Sequence, residues 1–124
     1  MKLINWDEIQ HFNADEFECK CGCRLNNMQS AFVKKLDSIR AQCGFPFYVT
    51  SGYRCRDRMQ QIGSPTSSHG LGLAADIAIK NAQQRLYVVD FALSHLVRRI
   101  GIYPTFVHLD TDSAKNAALW WGEL

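Results

Sequence analysis

The chain has 124 residues, of which 47% are hydrophobic and 21% are charged, a balance that is typical of a folded globular domain and excludes a disordered chain. Its 14 Lys and Arg against 12 Asp and Glu leave a net charge of +2, too small to favour nucleic-acid binding. No apolar run approaches the roughly 18 residues that a membrane span needs, and the N-terminus does not resemble a signal peptide. We therefore expect a single monomeric domain over residues 1–124 that is cytoplasmic on synthesis and binds neither nucleic acid nor membrane.

Loops separate the helix and strand patterns in the first half of the chain. Residues 5–12 predict a short helix or an extended arm, and residues 18–26 predict a loop that contains Cys, Gly and Asn. Apolar residues at helical spacing predict an amphipathic helix over residues 28–43, with Asn27 as its N-cap and Gly44 as its stop. The shorter predicted elements are a strand at 46–50, a helical turn at 54–61 and a loop at 63–68.

The second half of the chain predicts a strand, a helix and then more strands. Residues 73–79 alternate between larger apolar side chains and a face that carries only Ala and Asp76, as in a half-buried strand. A helix is predicted to start at Asn81 and to end at Gly101. Its predicted apolar stripe has 3-4-3 spacing and consists of Leu86, Val89, Leu93 and Leu96.

The C-terminal part predicts two short strands, at residues 102–104 and 105–111. The adjacent pair Arg98 and Arg99 is interpreted as the solvated end of the preceding helix, and residues 120–121, both Trp, are predicted to close the core. Helices and strands in mixed order predict an α+β domain.

A histidine and an aspartate close together in the sequence suit a metal site. His69 follows a flexible loop, and Asp76 lies seven positions later on the small-residue face of a strand. Gly70 and Gly72 allow a tight turn between them, so the two side chains can converge. A buried carboxylate is costly unless it is paired or binds a metal, which favours a ligand role for Asp76.

The segment Phe106–Asp110 supplies a third candidate ligand. Alternation on a strand places His108 and Asp110 on one face while Val107 and Leu109 point into the core. Two histidines and one carboxylate leave a fourth coordination position open, whereas structural zinc sites usually close all four. The sequence therefore predicts a catalytic Zn²⁺ site.

A resemblance to a known family extends from about residue 12 to Trp120. It is carried by Ser67-x-His69-x-x-Gly72-x-Ala74-x-Asp76 and Phe106-Val107-His108-Leu109-Asp110, with support from Thr50-Ser51-Gly52-Tyr53-Arg54, Gly101-Ile102-Tyr103-Pro104 and the segment from Phe12 to Cys23. These motifs resemble the zinc D-Ala-D-Ala carboxypeptidase family. That family includes the L-alanyl-D-glutamate endopeptidases of bacteriophage lysis, the D,D-dipeptidase of vancomycin resistance and the related hedgehog signalling domain.

The resemblance implies a fold, a metal and a set of functional residues. The implied fold is the hedgehog/DD-peptidase type, a small antiparallel sheet with helices packed on one side. The implied zinc ligands are His69, Asp76 and His108. Arg54 would contact the substrate, either by holding a carboxylate or by stabilising the oxyanion of the tetrahedral intermediate.

The general base is where the chain departs from the family pattern. Several relatives have an acid three residues before the last His, or another His two residues before it, whereas Thr105 and Phe106 stand at those positions here. Asp110 is the best candidate for the base, with Asp112 and Glu123 as weaker ones. Alternatively, Asp110 orients an imidazole rather than moving a proton.

Cys19, Cys21 and Cys23 lie close together and leave two interpretations open. They could bind a structural metal through their thiolates, but the spacing differs from that of usual zinc sites and no fourth ligand is obvious. We therefore expect reduced, structural cysteines, one of which could pair with Cys43 or Cys55 after export.

The function that the resemblance implies is hydrolysis of a peptide bond in bacterial peptidoglycan by a zinc metallopeptidase. The substrate would be a stem peptide or a cross-link of peptidoglycan. The enzyme would be a D,D-carboxypeptidase or an endopeptidase, and a phage-type lysis enzyme (endolysin) that acts after release is one such case. One alternative is a non-catalytic, zinc-containing binding module, which would explain the missing acid before His108. Another is a cytoplasmic dipeptidase that acts on small D-amino-acid peptides.

Overall fold

Three α-helices and five strands form the framework of residues 4–123, the part of the chain that the computed structural model describes. The helices are α1 (Ser30–Cys43), α2 (Arg56–Gln61) and α3 (Ala82–Ser94). The strands are β1 (Val49–Ser51), β2 (Ala74–Ala78), β3 (Arg99–Ile102), β4 (Phe106–Asp110) and β5 (Ala118–Trp121). Short 3₁₀ turns cover Trp6–Glu8, Ala14–Phe17 and Ser68–Leu71.

The strands form one sheet in the order β1-β2-β4-β3-β5. Neighbouring strands are antiparallel except for β3 and β5, which are parallel. The α+β prediction is confirmed, but the sheet is mixed rather than wholly antiparallel. The reason is that β5 follows β4 through a short loop, residues 111–117, and then adds to the far side of β3 instead of pairing with β4.

One face of the sheet forms the hydrophobic core with α1 and α3. The buried side chains on this face are Ala75, Ile77, Ile100, Val107 and Leu109 from the sheet, and Phe32, Leu36, Ile39, Val88 and Ala92 from the two helices. Burial of one large aliphatic side chain stabilises a fold by about 1.5–3 kcal/mol, so this layer holds the strands firmly in place. Strand alternation then directs Asp76 and His108 to the opposite face.

Helix α1 begins later than predicted and ends where predicted. Asn27 is not its N-cap, because the backbone of residues 27–29 lies against Gly72 and the Gln29 N–H donates to the Gly72 carbonyl. The helix starts at Ser30 with Gln29 as an N-cap that makes no side-chain bond. Gly44 stops the helix in the left-handed conformation, with φ of 75°.

Helix α3 starts as predicted but buries a different face. Asn81 caps it by accepting a hydrogen bond from the Gln84 N–H. The predicted apolar stripe is wrong, because three of its four residues are largely exposed. The exposed fractions are 62% for Leu86, 49% for Leu93 and 68% for Leu96. The buried positions of α3 are Val88 and Ala92, which face α1 and the sheet.

The end of α3 also differs from the prediction. The helix stops at Ser94, and Leu96 adopts a left-handed conformation with φ of 64°. The Val97 N–H donates to the Ala92 carbonyl and the Leu96 N–H to the Leu93 carbonyl, which is the hydrogen-bond pattern of a Schellman motif. Gly101 therefore lies in β3 rather than at a helix end.

Strand β5 lies at the edge of the sheet, and its tryptophans do not close the core as predicted. Trp121 is 79% exposed, and Trp120 is half-buried. The edge position explains this, since β5 has a neighbouring strand, β3, on one side only. No helix in residues 4–123 is long and apolar enough to cross a bilayer.

Candidate metal centre

The three predicted zinc ligands converge on the sheet face opposite the helices. His69 comes from the 3₁₀ turn Ser68–Leu71, Asp76 from β2 and His108 from β4. Asp76 and His108 are direct cross-strand partners, so the antiparallel register sets their separation. One donor atom from each residue lies within 4.8 Å of the other two.

The distances between these donor atoms suit a zinc ion. Asp76 Oδ1 is 2.9 Å from His108 Nδ1 and 3.4 Å from His69 Nε2. Nitrogen and oxygen ligands bind zinc at about 2.0–2.1 Å, which in a tetrahedron separates the donors by about 3.3 Å. The donor set, two imidazole nitrogens and one carboxylate oxygen, is therefore both chemically and geometrically fitted to Zn²⁺.

A backbone carbonyl orients His69. The His69 side chain is 97% buried, and its Nδ1 donates to the Gly52 carbonyl at 2.8 Å, which leaves Nε2 free to bind a metal. Gly52 itself fits tightly, because a Cβ atom there would lie 2.8 Å from Phe17 Cα. The adjacent Tyr53 N–H donates to the Phe17 carbonyl, so the 3₁₀ turn Ala14–Phe17 supports this segment.

A buried carboxylate orients His108. The Nε2 atom of His108 lies 2.7 Å from Asp110 Oδ2, and because a carboxylate only accepts, Nε2 carries the hydrogen. The Nδ1 atom is then unprotonated toward Asp76 when the imidazole is neutral. This is the arrangement expected of a metal-binding histidine and its supporting acid.

Asp110 is fully buried, and both of its carboxylate oxygens accept hydrogen bonds from the protein. Its Oδ1 atom accepts from Arg99 Nε at 2.9 Å and from the Asp112 N–H at 3.1 Å. The interpretation of Arg99 as part of a solvated helix end is wrong, because α3 ends at Ser94 and Arg99 lies in β3 beside Asp110.

The pKa shifts of His69 and Asp76 favour metal binding, whereas the shift of His108 favours its protonated form and means that zinc must displace a proton there. Burial lowers the pKa of His69, which keeps its imidazole neutral. Burial alone would raise the pKa of Asp76, but hydrogen bonds with His108 and His69 outweigh it and lower the pKa. In His108, burial is likewise outweighed by the bonds to Asp110 and Asp76, so its pKa is raised in the metal-free protein.

Arg54 lies beside the three ligands. Its Nη2 atom is 3.7 Å from Asp76 Oδ2, and its Nη1 atom donates to Ser67 Oγ at 3.4 Å. Ser67 Oγ also accepts from the His69 N–H, so this serine connects the arginine to the turn that carries a ligand. Burial lowers the pKa of Arg54 while the charge of Asp76 opposes that shift.

A cleft of about 360 Å³ opens next to His108. Its lining includes the loop at residues 63–68 and the side chains of Arg99, Lys115 and Trp120. The Trp120 ring lies 5.4 Å from the His108 ring and 5.0 Å from the Arg99 guanidinium carbon. Sequence reasoning missed Trp120 as a wall of this site.

The comparison with protein families agrees with this site. The family model described as peptidase M15 matches residues 10–110, which include all three candidate ligands and Arg54. The chain belongs to the peptidase M15 family. It is a zinc metallopeptidase, and the cluster of His69, Asp76 and His108 is its candidate metal centre. A search of curated proteins found no match.

The two weaker candidates for the base differ in burial. Asp112 is buried, and its two carboxylate oxygens accept from Ser68 Oγ at 2.8 Å and from the Ala114 N–H at 3.1 Å. Glu123 is exposed, after the end of β5. The Tyr103 ring stacks on Phe106 with the ring centroids 4.4 Å apart.

Proposed function

We propose that this peptidase hydrolyses a peptide bond in bacterial peptidoglycan, as a D,D-carboxypeptidase or an endopeptidase. The observation that carries the proposal is the convergence of His69, Asp76 and His108 beside a cleft, with Arg54 next to them. The substrate class rests on the resemblance of the motifs to peptidoglycan metallopeptidases. Cytoplasmic synthesis, a monomeric state and action on the wall after release stay predictions.

The three ligands would hold zinc with one coordination position left for water or substrate. Bound zinc lowers the pKa of a coordinated water and polarises a carbonyl group. The chain's own contribution is to fix the ligands, because the Gly52 carbonyl and Asp110 set the orientation of His69 and His108. Asp110 has two predicted roles, and its burial and contacts favour orientation of His108 over proton transfer.

Arg54 also has two predicted roles, and its surroundings favour the binding of a substrate carboxylate. Together with Lys20 and Arg58 it lines a cleft of about 170 Å³, so three cationic side chains meet there. Peptidoglycan stem peptides carry free carboxylates, and a guanidinium binds a carboxylate through two parallel hydrogen bonds. We therefore propose that Arg54 anchors the substrate next to the metal centre.

The test is mass spectrometry of fragments released from purified peptidoglycan, with a zinc-chelated sample alongside. We expect new amine and carboxyl ends that identify the cleaved bond, and we expect them to disappear with chelator. The R54A variant should lose most of this activity while R56A, which changes an exposed arginine of α2, should keep it. Cleavage of soluble D-amino-acid dipeptides without cleavage of sacculi would support the dipeptidase alternative, and zinc binding without any cleavage would contradict the proposal.

A further inference from the structure

Four cysteine sulfurs meet next to the segment that carries Arg54, since one of them belongs to Cys55. Cys19, Cys21 and Cys23 lie in the loop after the 3₁₀ turn Ala14–Phe17, and Cys55 is the N-cap residue of α2. The Sγ atoms of Cys19 and Cys21 are 3.5 Å apart, and Cys55 Sγ lies 3.7 Å from the first and 3.5 Å from the second. All four sulfurs lie within 4.8 Å of one another.

These separations match the edges of a tetrahedral zinc site. Thiolate sulfur binds zinc at about 2.3 Å, which places the sulfurs of a four-thiolate site about 3.8 Å apart. A disulfide would require a separation of about 2.05 Å, and all four cysteines are free thiols. Four sulfurs at these distances leave a central space of the size that a metal ion fills.

Backbone N–H groups support the sulfurs in this cluster. The Cys55 N–H donates to Cys19 Sγ at 3.4 Å, and the Arg58 N–H donates to Cys55 Sγ at 3.4 Å. The Leu25 N–H donates to Cys23 Sγ at 3.5 Å. Hydrogen bonds to sulfur favour the thiolate form, which is the form that binds a metal.

The sequence around the cluster supplies compensating positive charge. Zinc with four thiolates has a net negative charge, because four negative sulfurs exceed the charge of one divalent ion. Arg54 and Arg56 flank Cys55, and Lys20 lies between two of the other cysteines. Lys20 and Arg54 also line one cleft, so these cations lie together in space.

We propose that Cys19, Cys21, Cys23 and Cys55 bind a second Zn²⁺ as a closed structural site. Sulfur-only, tetrahedral coordination is typical of zinc or iron, and zinc is the ion that a purely structural site commonly holds. Binding releases the thiol protons to solvent and changes no oxidation state. The sequence did not show the fourth ligand because Cys55 lies 36 positions after Cys19.

Such a site would fasten the N-terminal loop to the segment that supports the catalytic centre. Cys55 directly follows Arg54, whose N–H donates to the His69 carbonyl, and lies three residues after Gly52, which orients His69. A metal shared between the loop and Cys55 would therefore hold this segment in place. The second zinc would act on catalysis only through position.

The first test counts metal in reduced protein by inductively coupled plasma mass spectrometry. We expect two zinc ions per wild-type chain and one in the double variant H69A/H108A. X-ray absorption at the zinc edge should show a sulfur-only shell in the double variant and a mixed shell in wild type. Zinc without sulfur neighbours, iron in place of zinc, or a metal-free double variant in which all four cluster thiols are reactive would each overturn the proposal.

The second test uses cysteine variants with a matched control. C21S and C23S change exposed side chains and should lower the zinc content from two ions to one, whereas C43S changes a buried thiol outside the cluster and should leave it at two. If C21S or C23S fails to fold, cobalt-substituted wild type decides, since four thiolates give intense sulfur-to-cobalt absorption. Unchanged zinc content in folded C21S and C23S, or cobalt protein without that absorption, would overturn the proposal.

Discussion

The candidate metal centre of His69, Asp76 and His108 and the four-cysteine cluster are held in place in different ways. Two of the three ligands in the centre lie opposite each other on adjacent strands, and the residues that orient them are buried. The cysteines lie on a loop and a helix cap, and Cys21 and Cys23 are exposed. A site with an open coordination position needs a rigid framework, because its ligands must keep their places without a fourth protein ligand. In a four-thiolate site, metal binding itself would order the loop that carries the cysteines.

The largest effect should come from removal of a ligand in the metal centre. We expect H108A to lower activity by roughly 10³-fold or more, because the zinc contribution to catalysis is several kcal/mol. The free energy of unfolding should fall only moderately, because His108 lies outside the hydrophobic core although Asp76 and Asp110 lose its hydrogen bonds. Turnover measured with calorimetric unfolding checks both, and an active H108A would contradict the assignment of the ligand.

For the cysteine cluster we expect a larger effect on stability than on activity. Loss of the second zinc in C23S should lower stability by about 3 kcal/mol, similar to the loss of a cross-link, or by roughly 10 °C in the unfolding midpoint. Activity at low temperature should fall much less than in H108A. Thermal unfolding of C23S, with C43S as the control, checks this. Equal unfolding midpoints for wild type and C23S would show that the cysteine cluster does not stabilise the fold through a metal.

A smaller effect is expected for the residue behind His108. D110N leaves the ligands in place but weakens the acceptor for His108 Nε2, so we expect a 10–100-fold loss of zinc affinity or activity. D90N, at an exposed position of α3, provides the matched control. Zinc titration separates the roles: a positioning residue changes metal affinity, whereas a residue that acts only as a base changes turnover at full zinc occupancy.

The smallest effect concerns acid stability of the chelated protein. Hydrogen bonds outweigh burial and lower the pKa of both Asp76 and Asp110 in the folded state, so the unfolded chain takes up more protons in acid. The resulting stability is present above the usual Asp pKa of about 4 and is lost as the pH falls through the folded-state values. Between pH 2 and 7, the denaturant midpoint of unfolding should vary less with pH in D110N than in wild type. An equal pH dependence of the midpoint in the two proteins would contradict this prediction.

The sheet face that carries the candidate metal centre could be predicted, because short-range patterns encode it. Alternation in β2 and β4 predicts which residues face away from the core, and the resemblance of the motifs predicts that His69 joins them. The Asn81 cap and the Gly44 stop also follow from local chemistry. These features depend on neighbouring residues, so the sequence alone contains the information.

The remaining features depend on contacts that no local pattern shows. The predicted end of α3 is wrong because Leu96, rather than a glycine, adopts the left-handed conformation that ends the helix. Because the helix ends early, Arg99 lies in β3, where its side chain donates to Asp110. Trp120 lies beside His108 because β5 pairs with β3 in parallel at the sheet edge. Cys55 joins a cluster whose other members are more than 30 positions earlier in the chain.

The close contact between Gly52 and Phe17 restricts which sequences can encode this enzyme. An added methyl group at position 52 would meet backbone atoms of Phe17 at 2.8 and 2.9 Å, and backbone moves less readily than a side chain. The carbonyl of the same residue accepts the hydrogen bond from His69, so a shift there would also displace a ligand. In a saturation library at position 52, alanine should therefore be depleted as strongly as leucine, which makes this position intolerant of even the most conservative replacement.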